Sequence, residues 1–212
     1  QRLTGSGGAV FSATPVRADH VYVFSGRFPT QTALYQLILV AVLAGIARAS
    51  ANEAAYQVAN RSRTFSHGTA DLTRNDPQIL EGVGRIAADA AACEAITVRA
   101  ADTLQAAYEA RTADAETIAN LKRDAELRAS EAQVVCTRLA MGAAQSLFDG
   151  LGASSTIDTH LLDRHWRNAR TVSSHNPVAF KARIIGDWLV NAVEPPYEWA
   201  IGNGKPAAQK GT

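Results

Sequence analysis

One regular stretch decides the fold, ILEGVGRIAADAAACEAITVRAADTLQAAY (residues 79–108). Its apolar and small side chains recur every three or four residues, which is the period of one face of an α-helix. Asp76 and Pro77 precede the stretch and suit its cap and first turn. The small members of the face allow a neighbouring helix to approach closely, so the stretch predicts one long helix of a packed bundle. That face consists of Ile79, Val83, Ile86, Ala90, Cys93, Thr97, Ala100, Leu104 and Tyr108.

Two further long helices flank this stretch. The first is predicted from Thr30 to about Arg63, and the third from about Ala113 to Phe148. Helices of this length with short connections pack antiparallel into a bundle. The expected buried stripe of the first helix consists of Leu34, Leu37, Ile38, Ala41, Val42 and Gly45.

The rest of the sequence divides the chain into three parts. Residues 1–28 carry β-branched and aromatic residues broken by Gly and Pro, which predicts two or three strands without a complete sheet. Residues 29–194 hold the bundle, which closes with two shorter helices at about 156–172 and 177–193. Residues 195–212 form a predicted flexible tail. We therefore expect an all-α fold preceded by a few strands, as the C-terminal part of a longer protein.

Composition excludes several classes of function. With 21 basic and 20 acidic side chains, the net charge of +1 is too balanced to indicate nucleic acid or a membrane surface as the partner. The most apolar run, LYQLILVAVLAGIA (34–47), includes Gln36 and is shorter than the roughly 20 residues that span a bilayer. Cys93 and Cys136 lack metal-ligand spacing, which predicts buried free thiols, no metal site and a cytoplasmic protein.

Two groups of arginines stand out. Arg61 and Arg63 end the first long helix, where they suit either the helix dipole or a phosphate group. Arg164, Arg167 and Arg170 recur every third residue along one edge of a later helix. Their spacing fits structural ion pairs and an anion-binding wall equally well.

His175 lies at the break between the two last helices, between Ser174 and Asn176. A histidine in such a place is more often structural than catalytic. From the residues alone, the sequence therefore predicts a helical bundle with basic edges and one histidine of interest.

Several stretches together resemble the acyl-CoA dehydrogenase fold. QRLTGSGGAVFSATPVRADHV (1–21) resembles the last strands of its middle β-domain, and GIARASANEAAYQVANRSRTF (45–65) the helix that ends in a flavin-phosphate arginine. SLFDGLGAS (146–154) resembles its glycine turn. The closing segment, LDRHWRNARTVSSHNPVAFKARIIGDWLVNAVEPP (162–196), is similar to the flavin-dependent monooxygenase branch, which includes dibenzothiophene monooxygenases and sulfur-acquisition oxidoreductases.

The resemblance implies roles for individual residues. Arg61 stands where the family places its cofactor-phosphate arginine, with Arg63 as a helper. Gly150 and Gly152 fall on the turn that lets a neighbouring subunit's flavin approach the backbone. His175 falls on the active-site histidine of the monooxygenase branch and is the expected catalytic residue.

Two further cofactor contacts follow from the resemblance, Arg170 and Asn176. Many acyl-CoA dehydrogenases have a catalytic glutamate at the position of Asn176, and an amide cannot act as a base at pH 7. This departure favours monooxygenation over dehydrogenation. Val172 stands where some desulfurising relatives have a second histidine, which argues against a thiophene-type substrate.

The function that the resemblance implies is a two-component monooxygenase. It would use O2 and FMN that a separate NAD(P)H-flavin reductase has reduced, act on a small molecule, and form a homotetramer or a dimer. FAD is the alternative cofactor. The alternative functions are an FAD-dependent acyl-CoA dehydrogenase-like enzyme and a bundle that serves only oligomerisation. We expect the isolated chain to be inactive.

Overall fold

Three long helices form the centre of the molecule. The computed structural model describes residues 8–23 and 26–198. Helices α1 (Gln31–Asn60), α2 (Pro77–Glu109) and α3 (Ala115–Ser146) pack against one another, each touching the other two. The predicted all-α bundle is confirmed.

Two shorter helices complete the bundle. Helix α4 (Asp163–His175) packs on α1 and α3, and α5 (Val178–Asn191) packs on α3. The prediction started α4 near residue 156, but two 3-10 turns occupy Ala153–Thr156 and Asp158–His160 instead. The left-handed backbone of Leu161, with φ +50° and ψ 30°, separates these turns from α4.

Helix α2 follows its sequence pattern closely. The carboxylate of Asp76 caps it, accepting hydrogen bonds from the N–H groups of Gln78 at 2.9 Å and Ile79 at 3.4 Å. The predicted face is buried or half-buried from Ile79 to Leu104, whereas Tyr108 at its end is exposed. The face therefore packs into the bundle as predicted, except for its last member.

The two cysteines mark the antiparallel contact between α2 and α3. Cys93 and Cys136 are free and buried, as predicted. The Sγ atom of Cys136 lies 3.6 Å from the carbonyl oxygen of Cys93. An ion pair between Arg48 and Glu94 joins α1 to α2 in the same antiparallel sense.

The prediction of the buried stripe of α1 is wrong, because the structure buries a different face of this helix. Ile38 and Val42 are 53% and 44% exposed, whereas Val40 and Leu43 are buried. Helix α1 is apolar on nearly all sides in its first half, so the sequence offers no contrast that would orient it. The helix buries Ala33, Gln36, Leu37, Val40, Leu43, Ala44, Ala47, Ser50, Ala54 and Val58.

The apolar character of α1 extends beyond the run 34–47. By length and composition α1 could cross a membrane, with a mean hydropathy of 1.7 over its most apolar stretch. In the bundle it packs against α2, α3 and α4. A core helix has the same composition, so this feature alone does not indicate a membrane protein.

The strands predicted within residues 1–28 do not form in residues 8–23, which are exposed and largely extended, with one 3-10 turn at Ala18–His20. A strand is stable only when it pairs with others, and these residues have no partner strand within the described chain. Residues 1–7, 24 and 25 lie outside the described residues.

Within the predicted tail, Tyr197 contacts the bundle. The carbonyl oxygen of Tyr197 accepts a hydrogen bond from the hydroxyl of Thr32 at 2.8 Å. The ring of Tyr197 lies beneath the ammonium group of Lys122, 3.9 Å from the ring centroid. Residues 199–212 lie outside the described residues, and their flexibility stays a prediction.

One acidic and one basic side chain face each other inside the bundle. Glu126 of α3 and Lys181 of α5 are 2% and 1% exposed. Burial raises the pKa of Glu126 to about 7 and lowers the pKa of Lys181 to about 8, and the attraction between them opposes both shifts. The backbone N–H of Ala33, in the first turn of α1, also lowers the pKa of Glu126.

Candidate functional site

The larger of two clefts lies between the start of α1 and the α4–α5 junction. Its volume is about 920 Å³. We call it the histidine cleft, because His175 belongs to its wall. Its apolar lining consists of Tyr22, Val23, Gly26, Phe28, Tyr35, Ile38 and Leu39. Its polar lining consists of Arg27, Gln31, Thr32, Gln36, His175, Asn176 and Glu198.

A proline places His175 in this cleft. The residue before a proline is disfavoured in the helical region, so Asn176 is extended, with φ −126° and ψ 112°, and α4 ends at His175. Pro177 then leads directly into α5. His175 is therefore exposed at the tip of a helix, on the rim of an apolar space.

Asn176 has structural partners on two sides. Its side-chain Nδ2 donates a hydrogen bond to Oε1 of Gln36 on α1, at 3.0 Å. Its carbonyl oxygen accepts one from Nε2 of Gln133 on α3, at 2.7 Å. Asn176 thus joins α1, α3 and the α4–α5 junction, and its role as a cofactor contact stays a prediction.

The smaller cleft lies at the other end of α1 and has a volume of about 260 Å³. We call it the arginine cleft, because both Arg61 and Arg63 line it. All of its lining residues except Leu151 have polar side chains, which suits an anion such as a phosphate. The other lining residues are Gln57, Asn60, Ser62, Leu151, Ser154, Ser155 and His160.

Arg61 connects the end of α1 to the glycine turn. Its Nη1 donates to the carbonyl oxygen of Leu151 at 2.5 Å, and its Nε donates to the carbonyl oxygen of Arg63 at 2.9 Å. Its guanidinium carbon lies 5.1 Å from the centre of the Phe65 ring. These contacts fix the plane of the guanidinium group at the wall of the arginine cleft.

Gly152 allows this close approach. Its φ of +68° is a conformation that favours glycine, and a Cβ atom there would lie 3.1 Å from Cζ of Phe65 and 4.0 Å from Nη2 of Arg61. The structure thus brings together Arg61, Arg63 and Gly152, whereas their roles in cofactor binding stay predictions. Gly150 lies apart, because a Cβ atom there would face Ile79 at 3.6 Å.

The arginines of α4 separate into two kinds. Arg164 pairs with Glu53 of α1 at 2.7 Å and so joins α4 to α1, and Arg167 pairs with Asp163 of its own helix at 2.6 Å. Arg170 is exposed and lines neither cleft. Gly150 lines neither cleft either. The cofactor contacts of Arg170 and Gly150 therefore stay predictions. Val172 packs against the hydrophobic core and lines neither cleft.

The two clefts are far apart within one chain. Gln36 lines the histidine cleft and Arg61 the arginine cleft. The two clefts lie at opposite ends of α1. Along the helix, Gln36 and Arg61 are about 37 Å apart at about 1.5 Å per residue. This distance exceeds the length of one FMN molecule. A single flavin that contacts both His175 and Arg61 must therefore bind between two copies of the chain.

Sequence reasoning missed several lining residues. Gln36 interrupts the apolar run of α1, and this polar residue in an apolar pattern was the available signal. Ser154 and His160 reach the arginine cleft from the irregular segment between α3 and α4, where no periodicity guides prediction. Tyr35 lies on the face of α1 that the predicted stripe misplaced.

Comparison with known proteins agrees with this geometry. The family model for the acyl-CoA dehydrogenase C-terminal domain matches residues 37–180, which include most of α1, all of α2 to α4 and the start of α5. The chain belongs to this family. The match covers the bundle and the α4–α5 junction, so the family assignment includes the His175 wall of the histidine cleft.

Two curated relatives of the chain are named as monooxygenases. A probable FMNH2-dependent monooxygenase, SfnC of Pseudomonas putida, is 29% identical over 92% of this chain and 50% of its own length. A dibenzothiophene monooxygenase of Mycolicibacterium goodii is 28% identical over 92% of this chain and 48% of its own length. The chain spans about half the length of these curated relatives.

A solved structure supports the same placement in the family. TdsC from Paenibacillus sp. A11-2, in complex with FMN and indole, is 32% identical, with a TM-score of 0.68. The match covers 77% of this chain and 40% of TdsC. The resemblance to the monooxygenase branch of the family is therefore confirmed.

Proposed function

We propose that the protein containing this chain is a two-component monooxygenase that uses reduced FMN and O2. One observation carries the proposal. His175 lies on an apolar cleft, and the next residue, Asn176, uses its amide to hold the structure together. The names of the relatives support the same activity, since they describe FMNH2-dependent and dibenzothiophene monooxygenases.

The described residues of the histidine cleft offer no unpaired carboxylate that could serve as the base of a dehydrogenase. Removing a proton next to a carbonyl group requires an ionised carboxylate that faces the substrate. Among the described residues of the histidine cleft, the one carboxylate is Glu198, and it pairs with Arg27 at 2.9 Å. Asn176 cannot act as a base.

The residues present fit FMN. The arginine cleft has the cationic and hydroxyl groups that a phosphate needs, and the bare backbone of Gly152 lets Phe65 pack against the guanidinium group of Arg61. The apolar wall of the histidine cleft suits a flat ring system. Reduced FMN supplies two electrons, with which one oxygen atom of O2 enters the substrate and the other leaves as water.

The chain's own residues then have three tasks. Arg61 and Arg63 hold the phosphate. The apolar residues of the histidine cleft exclude water from the reacting centre. A ring nitrogen of His175 donates a hydrogen bond or a proton to the reacting oxygen.

The assembly follows from the distance between the clefts. One flavin needs His175 from one copy and Arg61 from another, so we propose a homodimer or homotetramer. A separate NAD(P)H-flavin reductase supplies the reduced FMN. The two free buried thiols suit a reducing compartment, and we propose a cytoplasmic location.

The direct experiment supplies the complete protein with reduced FMN, ¹⁸O2 and a panel of small organosulfur compounds and indole. Mass spectrometry then measures the oxygen incorporated into each product. We expect one labelled oxygen atom in a product, with FMN preferred over FAD. The variant His175→Ala is expected to lower product formation about a hundredfold or more, while flavin binding is retained.

A matched control is His160→Ala, which removes a histidine from the arginine cleft instead. It is expected to weaken flavin binding more than product formation at saturating flavin. Full oxygenation by His175→Ala, or reduction of bound FAD by acyl-CoA, would contradict the proposal.

A further inference from the structure

The buried side-chain amide of Gln133 is hydrogen-bonded to the α4–α5 junction. Gln133 of α3 is 2% exposed, and its Nε2 donates a hydrogen bond to the carbonyl oxygen of Asn176 at 2.7 Å. The partners are 43 positions apart in sequence. This bond therefore ties the central helix of the bundle to the residue that directly follows His175.

The carbonyl group of Asn176 depends on this bond. Asn176 is extended between two helices, and the last carbonyl groups of a helix lack partners within the helix. A buried carbonyl group that loses its donor is costly. Gln133 supplies the donor from a neighbouring helix.

The side chain of Asn176 completes a clamp. It donates to Gln36, which is 4% exposed and belongs to the α1 wall of the histidine cleft. The series Gln133, Asn176, Gln36 thus crosses from α3 through the junction to α1. These two hydrogen bonds connect the α1 wall of the histidine cleft to the α4–α5 junction. They also fix the residue that follows His175.

We propose that Gln133 is a positioning residue for His175, acting through its hydrogen bond to the carbonyl oxygen of Asn176. The catalytic part of this role rests on the proposed monooxygenase function, whereas the structural part does not. Gln133 lines neither cleft, so it acts through the junction rather than by touching a ligand.

The test compares two substitutions at this position in the complete protein. Gln133→Met keeps the length of the side chain and removes the donor. Gln133→Glu, buried and therefore protonated near neutral pH, keeps an O–H donor. We expect Gln133→Met to lower kcat for oxygenation about tenfold, with the Kd of reduced FMN changed less than about twofold. Gln133→Glu is expected to restore kcat, and the rescue is expected to fade as the pH rises and the carboxyl group ionises.

Thr137→Val is the matched control. Thr137 lies one turn further along α3, is 9% exposed, and its hydroxyl has no hydrogen-bond partner among the described residues. Its replacement perturbs the same buried helix without touching Asn176. A kcat for Thr137→Val as low as that for Gln133→Met would overturn the proposal, and so would equal loss in Gln133→Met and Gln133→Glu.

Hydrogen–deuterium exchange gives a readout that does not require activity. In Gln133→Met, peptides covering residues 172–181 are expected to exchange about tenfold faster than in the parent protein, and those covering 79–108 at the parent rate. Unchanged exchange at 172–181 would overturn the proposal. If exchange changes as expected but the parent oxygenates nothing, the proposed function fails and the placement of His175 by Gln133 stands.

Discussion

At the scale of single residues, Gly152 links backbone conformation to the shape of the arginine cleft. Its φ of +68° and ψ of −172° lie in a region that is essentially restricted to glycine. The absent side chain leaves Phe65 in place against the guanidinium group of Arg61. The position of Arg61 in the cleft therefore depends on glycine at 152.

Gly152→Ala tests this dependence. The new Cβ atom would lie 3.1 Å from Cζ and 3.2 Å from Cε1 of Phe65, in a conformation that alanine rarely adopts. We expect the free energy of unfolding, measured with denaturant, to fall by about 2 to 4 kcal/mol.

Gly150→Ala is the control. A Cβ atom at position 150 would make an ordinary contact with Ile79 at 3.6 Å. Its expected effect on the free energy of unfolding is below about 1 kcal/mol. Equal losses in the two variants would show that backbone conformation at Gly152 does not matter.

At the scale of helices, the sequence predicted those elements that local signals define. The cap at Asp76 and the regular face after it placed α2, and Pro177 marked the break between α4 and α5. The stripe of α1 was misplaced because its first half is apolar on nearly all sides. The strands predicted near the N-terminus do not form in residues 8–23, because strand formation depends on partner strands, which the described residues do not supply.

The residues of the candidate site could be predicted less well from local sequence patterns than the helices could. His175, Arg61 and Arg63 were identified through the family resemblance, and their spacing alone left a structural role open. Asn176 is hydrogen-bonded to Gln36, which is 140 positions away in the sequence, and to Gln133, which is 43 positions away. No local sequence pattern indicates such contacts. Gln133 and Glu126 could be recognised only once α3 was placed against α1 and α5.

The pair Glu126 and Lys181 makes the contact between α3 and α5 depend on pH. The folded pKa of Glu126, about 7, lies above its ordinary value of 4.5. The folded state therefore binds a proton more tightly than the unfolded state between these values. The free energy of unfolding should fall on the order of 3 kcal/mol from this group as the pH rises from about 4.5 to about 7.

The double variant Glu126→Gln with Lys181→Met isolates this effect without leaving one charge unpaired. Denaturant unfolding between pH 4.5 and pH 8 is expected to show a smaller decline for this variant than for the parent. Lys181 has a folded pKa of about 8 and an ordinary value of 10.5. It therefore raises the free energy of unfolding only above this pH range. Parallel pH profiles for the two proteins would contradict the account.

At the scale of the whole molecule, the two clefts lie at opposite ends of α1. The distance of about 37 Å prevents one flavin from using both clefts of the same chain. In the proposed dimer or tetramer, the His175 end of one copy faces the Arg61 end of another.

Mixed assemblies test the shared site. Arg61→Ala and His175→Ala should each be inactive alone, since each lacks one half of every site. Co-expressed in equal amounts, they are expected to regain about a quarter of the parent activity if they form two-fold symmetric pairs at random. Half of the pairs are then mixed, and each mixed pair contains one intact site. No recovery in purified mixed assemblies would show that both residues act within one chain.

The most direct test of the central claim is stopped-flow absorbance on the complete protein. Its anaerobic complex with reduced FMN is mixed with oxygenated buffer, and the return of oxidised-flavin absorbance is followed over time. A monooxygenase of this kind is expected to show a spectrally distinct phase before oxidised FMN appears, and this phase is expected to be shorter in His175→Ala. Reoxidation in one step, at the same rate in the parent and in His175→Ala, would contradict it.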